Sequence, residues 1–172
     1  MTYTNQFIRI LSVNVGRSST AHTLSLETAF CASIDILMVQ EPYIHRDLSR
    51  RITCTHSAFE SFIPNDDWSC RPRVITYTRR DTGLNFEQDR PEPLSNQSTS
   101  DVLFLKLKSS NNHFLTIINI YNAPLGAINP GAALNLLFSL PSNFSFKNCI
   151  LAGDFNLHHS NWQPSYSGKP LP

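Results

Sequence analysis

The sequence predicts one mixed α/β domain, on three observations. Short apolar, β-rich runs recur along the chain. Between them lie two stretches whose apolar residues fall at helical spacing. The 172 residues are 41% hydrophobic and 16% charged, enough for one packed core and too apolar for wholesale disorder. With no internal repeat and no low-complexity tract, the whole span 1–172 reads as a single domain, with 165–172 as an irregular tail.

Phe7–Val15 (FIRILSVNV) is β-rich and mostly apolar, a largely buried strand. Thr20–Ser33 has apolar residues at 21, 24, 26, 29, 30 and 32, near helical spacing. Asp35–Gln40 (DILMVQ) is a second buried strand, ended by Pro42. Residues 43–58 are polar and read as a loop or short helix, and Ala58–Ile63 as a short strand. Arg73–Thr78 (RVITYT) is another strand. The "DTG" at 81–83 is a turn signal that predicts a hairpin into Leu84–Gln88. A polar connector with two prolines fills 89–100. Asp101–Lys108 alternates with both faces mainly apolar, which marks a central strand. Asn111-Asn112 turns it into His113–Tyr121 as its hairpin partner. Ala132–Leu140 reads as a short amphipathic helix stopped by Pro141, and Asn148–Ala152 is the last strand.

Fourteen basic and thirteen acidic side chains leave a net charge of +1. That excludes a large uniform basic field, although a local basic face fits inside a neutral total. None of the four cysteines, Cys31, Cys54, Cys70 and Cys149, pairs at C-x-x-C spacing, which argues against zinc. The segment MTYTNQFIRI lacks a charged region followed by a long apolar run, and no apolar run approaches the ~18 residues of a membrane span. The expectation is a nuclear or cytoplasmic protein with reduced thiols, neither secreted nor in a membrane.

Four strands end in residues suited to a metal or a phosphate: Asn14, Gln40-Glu41, Asn119-x-Tyr121 and Asp154-x-Asn156. In layered α/β folds, ligand sites form where strands run out into loops. On one rim these ends would suit a hard cation and a phosphate. Glu41 offers oxygen to magnesium, and Asn14 steadies that shell. Asp154 orients or deprotonates a water, while Asn156 and Tyr121 hydrogen-bond the phosphoryl oxygens. In extended backbone, residues i and i+2 face the same way, so Asp154 and Asn156 are expected to share one pocket.

The order SVNVG (12–16), VQEP (39–42), NIYNAP (119–124) and LAGDFN (151–156) resembles the endonuclease/exonuclease/phosphatase superfamily. DDWSCRPRVITYTRR (66–80) and GDFNLHHSNW (153–162) are similar to the endonuclease domain of non-LTR retrotransposons, fungal ones especially. The resemblance covers about residues 8 to 164. It implies a four-layer α/β sandwich, two packed, mostly antiparallel sheets flanked by helices. It implies Asn14 and Glu41 at the metal (Mg²⁺ or Mn²⁺), Asn119 and Tyr121 on the phosphate side, and Asp154 and Asn156 as the pair that orients the nucleophile. The implied reaction is metal-dependent hydrolysis of DNA, leaving a 3′-hydroxyl that primes reverse transcription.

The sequence departs from that pattern at its C-terminal end. The family's last strands, a further aspartate and an S-D-H motif have no counterpart before Pro172. The expectation is therefore a C-terminally truncated domain that is weak or inactive alone. The alternatives are a non-catalytic remnant of a transposable element, and a phosphatase or lipid phosphodiesterase of the same superfamily. His158 and His159 are read as structural or substrate-side loop residues and Trp162 as a packing anchor. Arg73 is taken as a contact to the DNA backbone. Arg71, Arg79 and Arg80 around the same strand, and Arg46, Arg50 and Arg51, are weighed as phosphate contacts or a solvated basic face.

Overall fold

The computed structural model describes residues 7–47, 50–64, 71–91, 99–108, 114–127 and 131–157. Two four-stranded sheets dominate it. The first has the order β1 (Ile10–Asn14), β2 (Ile36–Gln40), β6 (Val74–Arg79), β5 (Phe59–Phe62). The second has the order β10 (Cys149–Asp154), β9 (Phe114–Tyr121), β8 (Val102–Lys108), β7 (Asn85–Asp89). Each sheet is mixed: β1–β2 and β10–β9 pair parallel and the remaining neighbours antiparallel. A separate hairpin joins β3 (Ile44–Asp47) to β4 (Arg50–Thr53).

The layers follow from which strand faces are apolar. All five residues of β2 are buried, and alternate residues serve different neighbours. Leu37 and Val39 pack with Leu26 and Ala29 of α1 (Ser19–Cys31) outside the first sheet. Ile36 and Met38 meet Leu103, Leu105 and Ile117 of the second sheet. On that sheet's far face, Val102, Phe104, Ile118 and Ile120 pack against Ala133 and Leu137 of α2 (Ala132–Phe138). Helix, sheet, sheet and helix make the four-layer sandwich, and β8 is central with two apolar faces, as its alternation requires. No helix among the described residues is long and apolar enough to cross a membrane.

Two expectations fail locally. The polar segment 43–58 forms the β3–β4 hairpin, whose backbone pairing needs no apolar periodicity. The turn at 81–83 does not close a hairpin. A 3-10 turn (Arg80–Thr82) and Gly83, at φ 67°, carry the chain from β6 in one sheet to β7 in the other. The same left-handed glycine serves either geometry, so the local turn signal does not specify which sheet the next strand joins. The Asn111-Asn112 turn, the 165–172 tail and most of the proline connector lie outside the described residues.

The arginine at the far end of β6 is structural. Arg79 donates to the carbonyls of Ala29, Phe30 and Ile34, capping the C-terminal end of α1, and sits over the rings of Phe30 and Phe59. It is buried, which removes it from the candidate phosphate contacts.

A buried polar chain fixes α1 to the segment after β2. The Tyr43 N–H donates to His22 Nδ1 at 3.2 Å. The neutral ring therefore carries its proton on Nε2 and gives it to the Tyr77 hydroxyl at 2.9 Å, which donates to the Cys54 carbonyl at 2.7 Å. Burial lowers the His22 pKa from 6.5 to about 4. Between those values the unfolded chain binds a proton that the folded chain refuses. Stability is complete above pH 6.5, falls as pH drops towards about 4, and loses no more from this group below that. The expected loss is about 3 kcal/mol. Urea denaturation across this window should show it, and His22→Gln should show a shallower fall; equal slopes would contradict the assignment.

Candidate active site

Parallel pairing explains why four strand ends meet. β1 delivers Asn14 opposite Gln40 of β2, and β10 delivers Asp154 opposite Tyr121 of β9. Strands β6 and β8 run the other way, so the residues preceding them, Arg73 and Asp101, reach the same rim.

The centre of the rim is the Asn14 side chain. Its Oδ1 accepts from the Gly16 N–H at 2.8 Å, which turns its amide nitrogen outward. That nitrogen donates to Asp154 Oδ2 at 2.7 Å and approaches Glu41 Oε2 at 3.5 Å. Two carboxylates from different sheets thus meet on one amide. The other Glu41 oxygen lies 3.1 Å from the Arg17 guanidinium. Burial, then the neighbouring Glu41 carboxylate, with a smaller push from Asp154 and against the opposing Arg73 charge, raise the Tyr121 pKa and keep the phenol a neutral donor.

Asp154 is oriented on both sides, since its Oδ1 accepts from the Asn156 N–H at 3.0 Å. Asn156 does not project beside it as extended backbone requires. The strand stops at Asp154 and Asn156 sits at φ 45°, with its amide donating to the Asn122 carbonyl at 2.8 Å. The D-x-N pair forms a side-chain-to-backbone turn in which Asn156 positions Asp154.

Asn119 is also corrected. It is fully buried between the sheets rather than on the rim. Its Oδ1 accepts from Gln40 Nε2 at 2.7 Å, and its Nδ2 donates to the Ile75 carbonyl at 3.0 Å and the Thr76 hydroxyl at 3.2 Å. Its amide is committed to the contact between the sheets. Arg73 is committed as well. Its Nε and Nη2 hold the two Asp101 oxygens at 2.6 and 2.5 Å, and its guanidinium lies 5.1 Å from the Tyr121 ring centre. The pair bolts the start of β6 to the start of β8, across the two sheets. His158 and His159 lie outside the described residues, as does Trp162.

Sequence reasoning passed over four participants. Arg17 and Asp101 are the ionic partners just described. Asn122, buried, donates to the Phe155 carbonyl at 2.9 Å and accepts from the Leu134 N–H, tying the end of β9 to the D-x-N turn and α2. Gly153 has φ 149°, and a Cβ there would stand 1.9 Å from the Ile120 carbonyl oxygen. Only glycine lets β10 lie against β9 at that point. A glycine inside a strand pattern is the signal that could have found it.

Among the described residues there is no cluster of three or more His, Cys, Asp or Glu side chains. A magnesium ion does not need one, because it keeps several waters and takes one or two carboxylates plus substrate phosphate. The donor set fits. Glu41 and Asp154 face one another with their repulsion offset on one side by Arg17 and between them by a neutral amide.

No family model and no curated protein sequence matches the chain. Solved structures do. The endonuclease domain of TRAS1, a telomere-specific non-LTR retrotransposon, matches with TM-score 0.67 and 18% identity, over 91% of this chain and 62% of that one. The catalytic domain of Xenopus laevis APE2 matches with TM-score 0.56 and 16% identity, over 95% of this chain and 62% of that one. The chain therefore has the endonuclease/exonuclease/phosphatase-type fold and spans about 62% of the length of these structures.

Asn119→Ala should leave the Gln40 donor and the Ile75 carbonyl buried without their partner. The expected cost is about 2–4 kcal/mol in chemical denaturation. An unchanged unfolding midpoint would show that the amide does not clamp the sheets.

Proposed function

We propose that the chain is a divalent-cation-dependent phosphodiester hydrolase that nicks DNA, in the manner of retrotransposon endonucleases. The observation that carries this reading is the meeting of Glu41 and Asp154, from separate sheets, on the Asn14 amide. The fold shared with a retrotransposon endonuclease domain and the APE2 catalytic domain supports the choice of DNA.

In this reading Glu41 holds the cation, with Asn14 fixing the carboxylate's direction. Bound there, Mg²⁺ or Mn²⁺ would neutralise charge on the phosphate and on the leaving oxygen. Asp154, aligned by Asn14 and the Asn156 N–H, takes a proton from the attacking water. The water oxygen bonds to phosphorus as the bond to O3′ breaks, so the products are a 5′-phosphate and a 3′-hydroxyl. Tyr121, kept protonated, donates to the phosphoryl oxygens as their charge grows. The 3′-hydroxyl is the end that primes reverse transcription.

Supercoiled plasmid incubated with the purified chain and magnesium tests this. Slow nicking is expected, abolished by chelation and reduced at least about 100-fold by Glu41→Ala or Asp154→Ala. Nicking that survives chelation or both substitutions would refute the assignment. Preferential release of phosphate from a lipid headgroup would move the activity to the phosphatase branch of the fold.

A further inference from the structure

The ion pair at the rim has features that a static surface bridge does not need. Gly16 and Arg17 are consecutive left-handed residues, at φ 53° and 61°, and Glu41 is a third at φ 47°. The Arg17 N–H donates to the Glu41 carbonyl at 2.7 Å, and Ser18, next along, caps α1 by accepting from the Ala21 N–H. The two backbones are thus pinned face to face. The Arg17 side chain beyond them is 54% exposed and touches the acid through one nitrogen at 3.1 Å. Arg73, by contrast, is held by both oxygens of Asp101. Arg17 is therefore a positive charge delivered to the acid pair by a rigid turn on a long, solvated stem.

We propose that Arg17 is a displaceable counter-ion of Glu41, which releases the carboxylate to a divalent cation and turns its guanidinium to a phosphate of the substrate. An exposed ion pair held by one contact is weak and easily exchanged. A guanidinium freed at this rim offers the planar fork that matches a phosphate. The pinned backbone keeps it within one side-chain length of Glu41 throughout. The inference rests on the metal role assigned to Glu41 above, and it separates two effects that a structural arginine would move together.

The test uses the full chain, with Mn²⁺ binding followed by calorimetry and binding of a short labelled DNA duplex followed by anisotropy in the presence of Mn²⁺. Arg17→Ala should bind Mn²⁺ about fivefold more tightly and the duplex about fivefold more weakly, with a shallower salt dependence. Arg17→Gly, which suits the left-handed backbone, should behave alike, so a folding defect of the alanine variant cannot mimic the result. Arg17→Lys should keep the wild-type Mn²⁺ affinity and lose part of the duplex affinity. Tight Mn²⁺ binding that depends on Glu41 but is unchanged or weakened without the guanidinium would overturn this inference alone. Mn²⁺ binding that is absent, or indifferent to Glu41→Ala, would overturn the metal assignment and this inference with it.

Discussion

The amide of Asn119 hydrogen-bonds across the interface between the two sheets, and the geometry of the rim depends on it. Its carbonyl end takes Gln40 of β2, and its nitrogen end reaches the backbone of β6. Apolar packing alone is non-directional and would tolerate sliding of one sheet over the other. A buried amide does not, because a slip leaves polar atoms without partners. Gln40 precedes Glu41 directly, and Asn119 stands two residues before Tyr121 on the same face of β9. Fixing this pair therefore fixes the height of Glu41 against Tyr121. The Arg73–Asp101 pair repeats the constraint one step nearer solvent, and Asn14–Asp154 repeats it at the rim itself.

Backbone conformation at the rim is unusual in the same place. Of the four non-glycine residues with positive φ among the described residues, Arg17, Glu41 and Asn156 belong to the site, and only Ser33 lies elsewhere. Each such residue costs free energy that the surrounding structure must supply. Here the supply is visible: Glu41 is held by its N–H to the Arg73 carbonyl, Arg17 by the Glu41 carbonyl, and Asn156 by Asp154 and Asn122. The strain turns the chain sharply as each strand ends. Glu41 and Asp154 thereby meet at the Asn14 amide rather than pointing along their strands.

The fold was largely legible in the sequence, because burial leaves periodic traces. The four consecutive apolar residues of β2 and the two apolar faces of β8 can be read directly as strands covered on both sides. The clustering of Asn14, Glu41, Tyr121 and Asp154 was legible from their common position at strand ends, since parallel strands bring like ends together. The direction of each side chain was not. Asn119 and Tyr121 lie two apart and share a face, yet one is buried between the sheets and the other reaches the rim, a matter of depth that alternation does not encode. Asp154 and Asn156 were expected side by side, and a left-handed turn rotated one of them away. Arg73 carries the same charge whether it meets a phosphate or Asp101, and only the sheet-to-sheet register distinguishes them.

The proposed function rests on one spatial relation: Glu41 and Asp154, contributed by different sheets, meet at the Asn14 amide, where Glu41 would hold a divalent cation. Anomalous diffraction from crystals grown with Mn²⁺ tests it most directly. A manganese peak is expected beside the Glu41 carboxylate, at about 2 Å from its nearer oxygen and on the side facing Asp154. A peak at another place on the molecule, or carboxylates that face away from each other with no metal between them, would contradict it.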